Sequence, residues 1–123
     1  MTNGLVLPTS SKTQNKYMDN ILTTLEQILE QRKSASAESS YVSSLYNKGT
    51  DQILKKIAEE SAEVIMAAKE DVNEKIIYEV ADLWFHILVL LRHKNISVND
   101  ISEELSKRFG VSGHKEKLSR NIQ

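Results

Sequence analysis

The sequence predicts an all-α fold, and three observations carry that prediction. One proline, at position 8, and four glycines leave the middle of the chain free of helix breakers. Apolar residues recur at helical spacing, and almost nothing alternates as a strand would. The stretch from Ile57 to Leu91, IAEESAEVIMAAKEDVNEKIIYEVADLWFHILVLL, reads as two helices around the short polar break Glu70-Asp71-Val72-Asn73. A break that short predicts an antiparallel hairpin. Its second helix, Ile76 to Leu91, is apolar on nearly every side, and a helix of that kind is expected to be buried. A chain of 123 residues supplies few neighbours to cover it. A helical bundle completed by homodimerisation is the expected architecture.

The elements follow in order. Met1 to about Gln14 is polar and aperiodic, so residues 1–16 are expected to be a mobile tail and residues 17–123 a single domain. From Tyr17 to Arg32, Ile21, Leu22, Leu25, Ile28 and Leu29 lie on one stripe of an amphipathic helix. Ser34 to Ser40, SASAESS, is a small-residue linker. Tyr41 to Tyr46 is a short helix, and Asn47-Lys48-Gly49 a turn with Gly49 as its C-cap. Thr50 or Asp51 is the expected cap of the next helix, which runs to about Lys69. Its core-facing residues are expected to be Ile53, Leu54, Ile57, Ser61, Val64, Ile65 and Ala68. After the hairpin, Ser97 to Asp100 resembles a capping box. Ile101, Leu105 and Phe109 form one face of a shorter helix that Gly110 and Gly113 end. Residues 110–123 form a basic C-terminal segment.

Composition narrows the function classes. The net charge is −1, so no global basic field is present to hold a nucleic-acid polymer. With no cysteine, disulfides, zinc–thiolate sites and cysteine nucleophiles are excluded. No run of roughly 18 to 20 apolar residues, the length a membrane span needs, occurs. The start, MTNGLVLPTSSK, lacks the basic and apolar regions of a signal peptide, so a cytoplasmic location is expected.

The hairpin carries acids where a plain bundle would not put them. Glu59, Glu60 and Glu63 fall within an arc of roughly 100° on the first helix, and Glu79 and Asp82 lie about 60° apart on the second. In an antiparallel pair, facing positions have numbers with a constant sum. Glu60 with Asp82 and Glu63 with Glu79 share one sum, which places the fold point at residue 71, inside the polar break. Four carboxylates therefore converge at one height. Like charges brought together out of water repel, and a bound divalent cation removes the repulsion. Oxygen-only ligands point to a hard ion, Mg²⁺ or Mn²⁺. Acids at helical spacing often form nothing more than a solvated face. That reading does not suit Glu79 and Asp82, which sit in a narrow polar stripe with His86 and His93 on an otherwise apolar helix. His86, four residues past Asp82, is within ligand reach, but a histidine hydrogen-bonded to an acid is the expected role.

Cations flank the acids. Lys48, Lys55 and Lys56 read either as solvated surface, the usual place for lysines, or as holding phosphate oxygens beside the metal, for which Lys56 is the better placed because it projects to the acidic side of its helix. The terminal segment offers Arg108, His114, Lys115, Lys117 and Arg120 with Ser112 and Ser119. It reads either as a frayed basic end or as a glycine-hinged segment that closes on an anionic substrate.

The pattern Glu59-Glu60-x-x-Glu63 followed by Glu79-x-x-Asp82 resembles the MazG-like all-α nucleotide pyrophosphohydrolases. The flanks Ser40-Tyr41-Val42, Lys48-Gly49, KKIAEESAEVIMAAK, YEVADLWFHILVLL and SGHKEKLSR narrow the resemblance. They are similar to the phosphoribosyl-ATP pyrophosphohydrolase family of histidine biosynthesis, over roughly residues 20–121. The resemblance implies Mg²⁺-dependent cleavage of phosphoribosyl-ATP to phosphoribosyl-AMP and pyrophosphate by an obligate helical dimer. It implies Glu60, Glu63, Glu79 and Asp82 as metal ligands, and Glu59 outside the ligand set or orienting the water, so that Glu59 and Glu60 are the expected catalytic residues. It implies Lys48, Lys56, Arg108, Ser112, Lys117, Ser119 and Arg120 as phosphate contacts. His114 departs from the aliphatic residue expected there. Rival expectations are a MazG-like enzyme acting on dUTP, dCTP or a damaged nucleotide, and a non-catalytic helical dimerisation module. A di-iron carboxylate bundle would need Glu-x-x-His, which is absent.

Overall fold

The computed structural model describes residues 11–110, with side chains described from residue 21 onward. Five α-helices follow one another: α1 (Ser11–Gln31), α2 (Tyr41–Lys48), α3 (Thr50–Glu70), α4 (Asn73–His93) and α5 (Val98–Gly110). A 3₁₀ turn, Arg32–Ser34, extends α1, and the described residues contain no strand. The all-α expectation is met.

α3 and α4 form the antiparallel hairpin and share the most extensive contact between any two described elements. The fold point is where the register put it. Asp71 takes the left-handed conformation (φ 60°) and its N–H donates to the carbonyls of Ala67 and Ala68, both at 3.1 Å, which closes α3. Val72 is extended, and α4 begins one residue later.

The core lies toward the other end of the hairpin. Leu29 of α1, Val42 and Leu45 of α2, Ile53 of α3, Leu88 and Val89 of α4 and Val98 at the start of α5 pack as one buried cluster. Ser40 caps α2 by accepting the Ser43 N–H at 3.2 Å. Tyr46 anchors α2 to α1 by donating its hydroxyl to the Leu29 carbonyl at 2.9 Å. Arg92 near the end of α4 donates to Glu30 of α1 at 3.0 Å and to the Ile96 carbonyl at 2.7 Å. The expected capping box of α5 is reciprocal: Ser97 N–H donates to Asp100 Oδ2 at 3.0 Å, and Asp100 N–H to Ser97 Oγ at 3.1 Å.

Several details differ from expectation. α1 begins at Ser11, so Ser11 to Lys16, which the sequence leaves in the tail, are helical. No glycine or proline stands between Ser11 and Tyr17, and a nucleated helix propagates at little cost. Met1 to Ser10 lie outside the described residues, as does Gly113. α2 continues past Tyr46 to Lys48. Neither Thr50 nor Asp51 caps α3. Gly49 does so with its backbone, at φ 95° and ψ −174°, a conformation open in practice only to glycine.

The inward stripe of α3 is Ile53, Ile57, Glu60, Ser61, Val64 and Ala67, so it passes through Glu60 itself. Leu54, Ile65 and Ala68, expected in the core, are exposed in the single chain. α4 is likewise not covered all round: Ile77 and Tyr78 are 69% and 70% exposed, and Trp84 is exposed as well. One antiparallel neighbour can cover only one side of a helix. Ile101, Leu105 and Phe109 on α5 are also exposed.

Candidate metal centre

Glu60 is placed by the stripe that buries Ile53 and Ala67. Seven residues make nearly two turns, so residues 53, 60 and 67 recur on one line of the helix. The carboxylate is thus carried into the hairpin interface, where Glu60 is only 8% exposed. Across the interface, one ligand atom from each of Glu60, Asp82 and His86 lies within 4.8 Å of the others. The Glu60 and Asp82 carboxylates face each other across the hairpin, with an oxygen of each within 4.8 Å of the other. Burial first, then Asp82, and more weakly the charge of Glu79, push Glu60 up to about 7; Lys56 pulls the other way.

Glu63 and Glu79 stand together beside this pair. Both line a cleft of about 330 Å³ with Met66, Ala67, Glu70, Glu74, Lys75 and Tyr78. Glu63 is exposed and Glu79 half-buried. Of the four expected ligands, then, Glu60 and Asp82 meet in the interface, while Glu63 and Glu79 flank the cleft nearer the turn.

Lys56 lies 3.4 Å from Glu59 and 3.9 Å from Glu60. Tyr41 first, with Glu59 and Glu60, holds the Lys56 ammonium charged to a pH above its ordinary value. Lys48 ends α2 and is exposed. Arg108 sits on α5, 3.7 Å from Glu104. The other expected phosphate contacts, Ser112, Lys117, Ser119 and Arg120, lie outside the described residues, as does His114.

His86 is 3% exposed, and both ring nitrogens have partners. Nδ1 lies 2.8 Å from the Asp82 backbone carbonyl and 3.5 Å from Asp82 Oδ1. A carbonyl only accepts, so Nδ1 carries a proton. Nε2 lies 2.9 Å from the Tyr41 hydroxyl. Burial first, then the negative charges of Asp82, Glu60 and Glu59, raise the Tyr41 phenol above its usual range, so it stays a donor; Lys56 opposes them. The histidine does bond the acid-bearing residue, but through Asp82's backbone rather than its carboxylate. Tyr41 is the residue at this site that spacing could not reveal, because its partner stands 45 positions away.

Hard oxygen donors held close, one of them with its pKa far above that of an ordinary carboxyl, suit a divalent cation that replaces the proton on Glu60. His86 does not add to that set, since neither nitrogen is left over.

The family model described as phosphoribosyl-ATP pyrophosphohydrolase matches residues 22–109. A protein named phosphoribosyl-ATP pyrophosphatase from Ruthia magnifica subsp. Calyptogena magnifica is 74% identical over 104 residues, covering 85% of this chain and 99% of that protein. One of the same name from Hydrogenovibrio crunogenus is 54% identical over 107 residues, covering 84% and 95%. Another from Geobacter sulfurreducens is 53% identical over 103 residues, covering 84% and 95%.

Proposed function

This chain belongs to the phosphoribosyl-ATP pyrophosphohydrolase family, and from that membership we propose that it hydrolyses phosphoribosyl-ATP to phosphoribosyl-AMP and pyrophosphate. The observation that carries the reading is the close approach of buried Glu60 to half-buried Asp82, drawn from both arms of the hairpin and supported by Glu79.

In this reading Glu60, Glu63, Glu79 and Asp82 hold Mg²⁺ or Mn²⁺. When bound, the cation neutralises charge that builds on the phosphate oxygens as the α–β phosphoanhydride breaks. Glu59, half-exposed and beside Lys56, is the carboxylate free to orient the attacking water and accept its proton. Lys56 is the cation nearest the cluster and takes a phosphate oxygen. Lys48 and Arg108, with Ser112, Lys117, Ser119 and Arg120 of the terminal segment, supply further phosphate contacts. His86 holds the turn of α4 that presents Asp82.

The active form is a homodimer. Ile65, Met66, Ile77, Tyr78 and Trp84 leave the hairpin with more exposed apolar surface than a monomer retains, and a second copy of the same surface covers it. No helix among the described residues is long and apolar enough to cross a membrane, consistent with a cytoplasmic enzyme.

Pyrophosphate release from phosphoribosyl-ATP, measured with Mg²⁺ and with EDTA, tests the proposal. Rapid, EDTA-sensitive release is expected, with dUTP and dCTP turned over far more slowly. Equal turnover of the free triphosphates would overturn the substrate assignment, and EDTA-insensitive release would overturn the metal.

A further inference from the structure

The geometry points to Tyr41 as a positioning residue for the metal centre, acting on Asp82 through His86; this rests on the reading of the carboxylate cluster as a cation site. Tyr41 begins α2, and its ring meets His86 edge-on, with centroids 5.8 Å apart and planes at 83°. The hydroxyl donates to Nε2 at 2.9 Å, and the opposite edge of the imidazole donates from Nδ1 to the Asp82 carbonyl at 2.8 Å. One rigid ring thus spans from the first turn of α2 to the turn of α4 that bears a ligand.

The arrangement limits where the Asp82 carboxylate can go. The Nδ1 edge stands 3.5 Å from Oδ1 on one side, and Glu60 faces the same carboxylate across the hairpin. The fixed imidazole makes the first contact electrostatically favourable, because Nδ1–H points its positive end toward Asp82. If the Tyr41 hydroxyl is lost, Nε2 becomes a buried polar atom with no partner, at a ring only 3% exposed. The ring then gains by turning to find another, and the Asp82 side chain loses its wall. Tyr41 itself is 52% exposed and, with Asp82, Phe85 and Tyr78, borders a recess of about 370 Å³. It therefore adds little to the core, and its removal acts on the site more than on the fold.

The test is Mn²⁺ affinity, read by electron paramagnetic resonance of the full-length protein without substrate. Tyr41→Phe should weaken Mn²⁺ by about tenfold, the scale on which lost outer partners of a metal site act. KM for phosphoribosyl-ATP at saturating metal should stay within about twofold of wild type, because the hydroxyl faces His86 and not substrate. His86→Asn should weaken Mn²⁺ as well, and the double variant should be no weaker than His86→Asn alone, since the two residues act as one chain. Unchanged Mn²⁺ affinity in Tyr41→Phe, a raised KM, or additive losses would each overturn the inference while leaving the metal centre in place. Failure of the wild-type protein to bind Mn²⁺ would overturn the metal centre itself and the inference with it. A long-range ¹H–¹⁵N spectrum of the wild-type histidines adds an arm independent of how the variants fold. His86 should be the Nδ1–H form, and the Nε2–H tautomer would overturn the proposed direction of the chain.

Discussion

The carboxyl of Glu60 on α3 stands within 4.8 Å of that of Asp82 on α4, at the level of the hairpin where burial leaves Glu60 8% exposed. In the metal-free protein this pair is a repulsive contact relieved by a proton, and in the proposed enzyme it is relieved by a cation.

Metal-free stability should therefore fall as pH rises from about 4.5 to about 7. Glu60 has an ordinary value of 4.5 and is raised to about 7 in the fold, so the folded state binds the proton more tightly than the unfolded chain does. That favourable term is complete below 4.5 and is gone once pH exceeds about 7. Its size is on the order of 3 kcal/mol for Glu60. Urea unfolding in EDTA across this range should show the decline, and saturating Mg²⁺ should stabilise the protein most above pH 7. A flat profile in EDTA would show that Glu60 does not hold its proton to higher pH in the fold.

Glu60→Gln should remove the pH dependence and the activity together. The amide keeps the shape and a hydrogen bond to Asp82 while deleting the charge, so stability at pH 8 should match or exceed wild type by about 1–3 kcal/mol. Pyrophosphate release should drop by about 100-fold or more. Asp82→Asn should behave alike. Near-wild-type turnover in either variant would remove them from the ligand set.

Gly49→Ala should destabilise the fold by about 1–3 kcal/mol. Gly49 has φ 95° and ψ −174°, and a Cβ built there meets nothing within 4 Å, so the cost is backbone strain and not crowding. Thermal unfolding checks the size. A neutral result would mean that the α2–α3 junction adopts another conformation at no cost.

Ile77→Glu should convert a dimer into monomers. Ile77 is 69% exposed in one chain and is not a member of the buried core cluster, so a glutamate there is tolerated by the monomer but not beneath a partner. Light scattering should give a dimer mass for wild type and a lower one for the variant. A wild-type monomer at micromolar concentration would remove the dimer proposal.

Much of this molecule was legible along the chain because the signals are local. The helix periods, the polar break at Glu70 to Asn73, the Ser97–Asp100 box and the approach of Glu60 to Asp82 depend on spacings of a few residues, and a hairpin with a short turn has one register open to it. Other features belong to packing. That Glu60 lies in the buried stripe while Ile65 and Ile77 lie outside it depends on which side of α3 meets α4, and apolar periodicity cannot choose between sides that are both apolar. Nor can it bring Tyr41 to His86 or aim Nδ1 at a carbonyl instead of a carboxylate; those follow from where α2 comes to rest on the bundle. The sequence by itself determined that acids would meet. Tertiary structure decided which of them loses its water, because desolvation is a property of the surroundings and not of the residue.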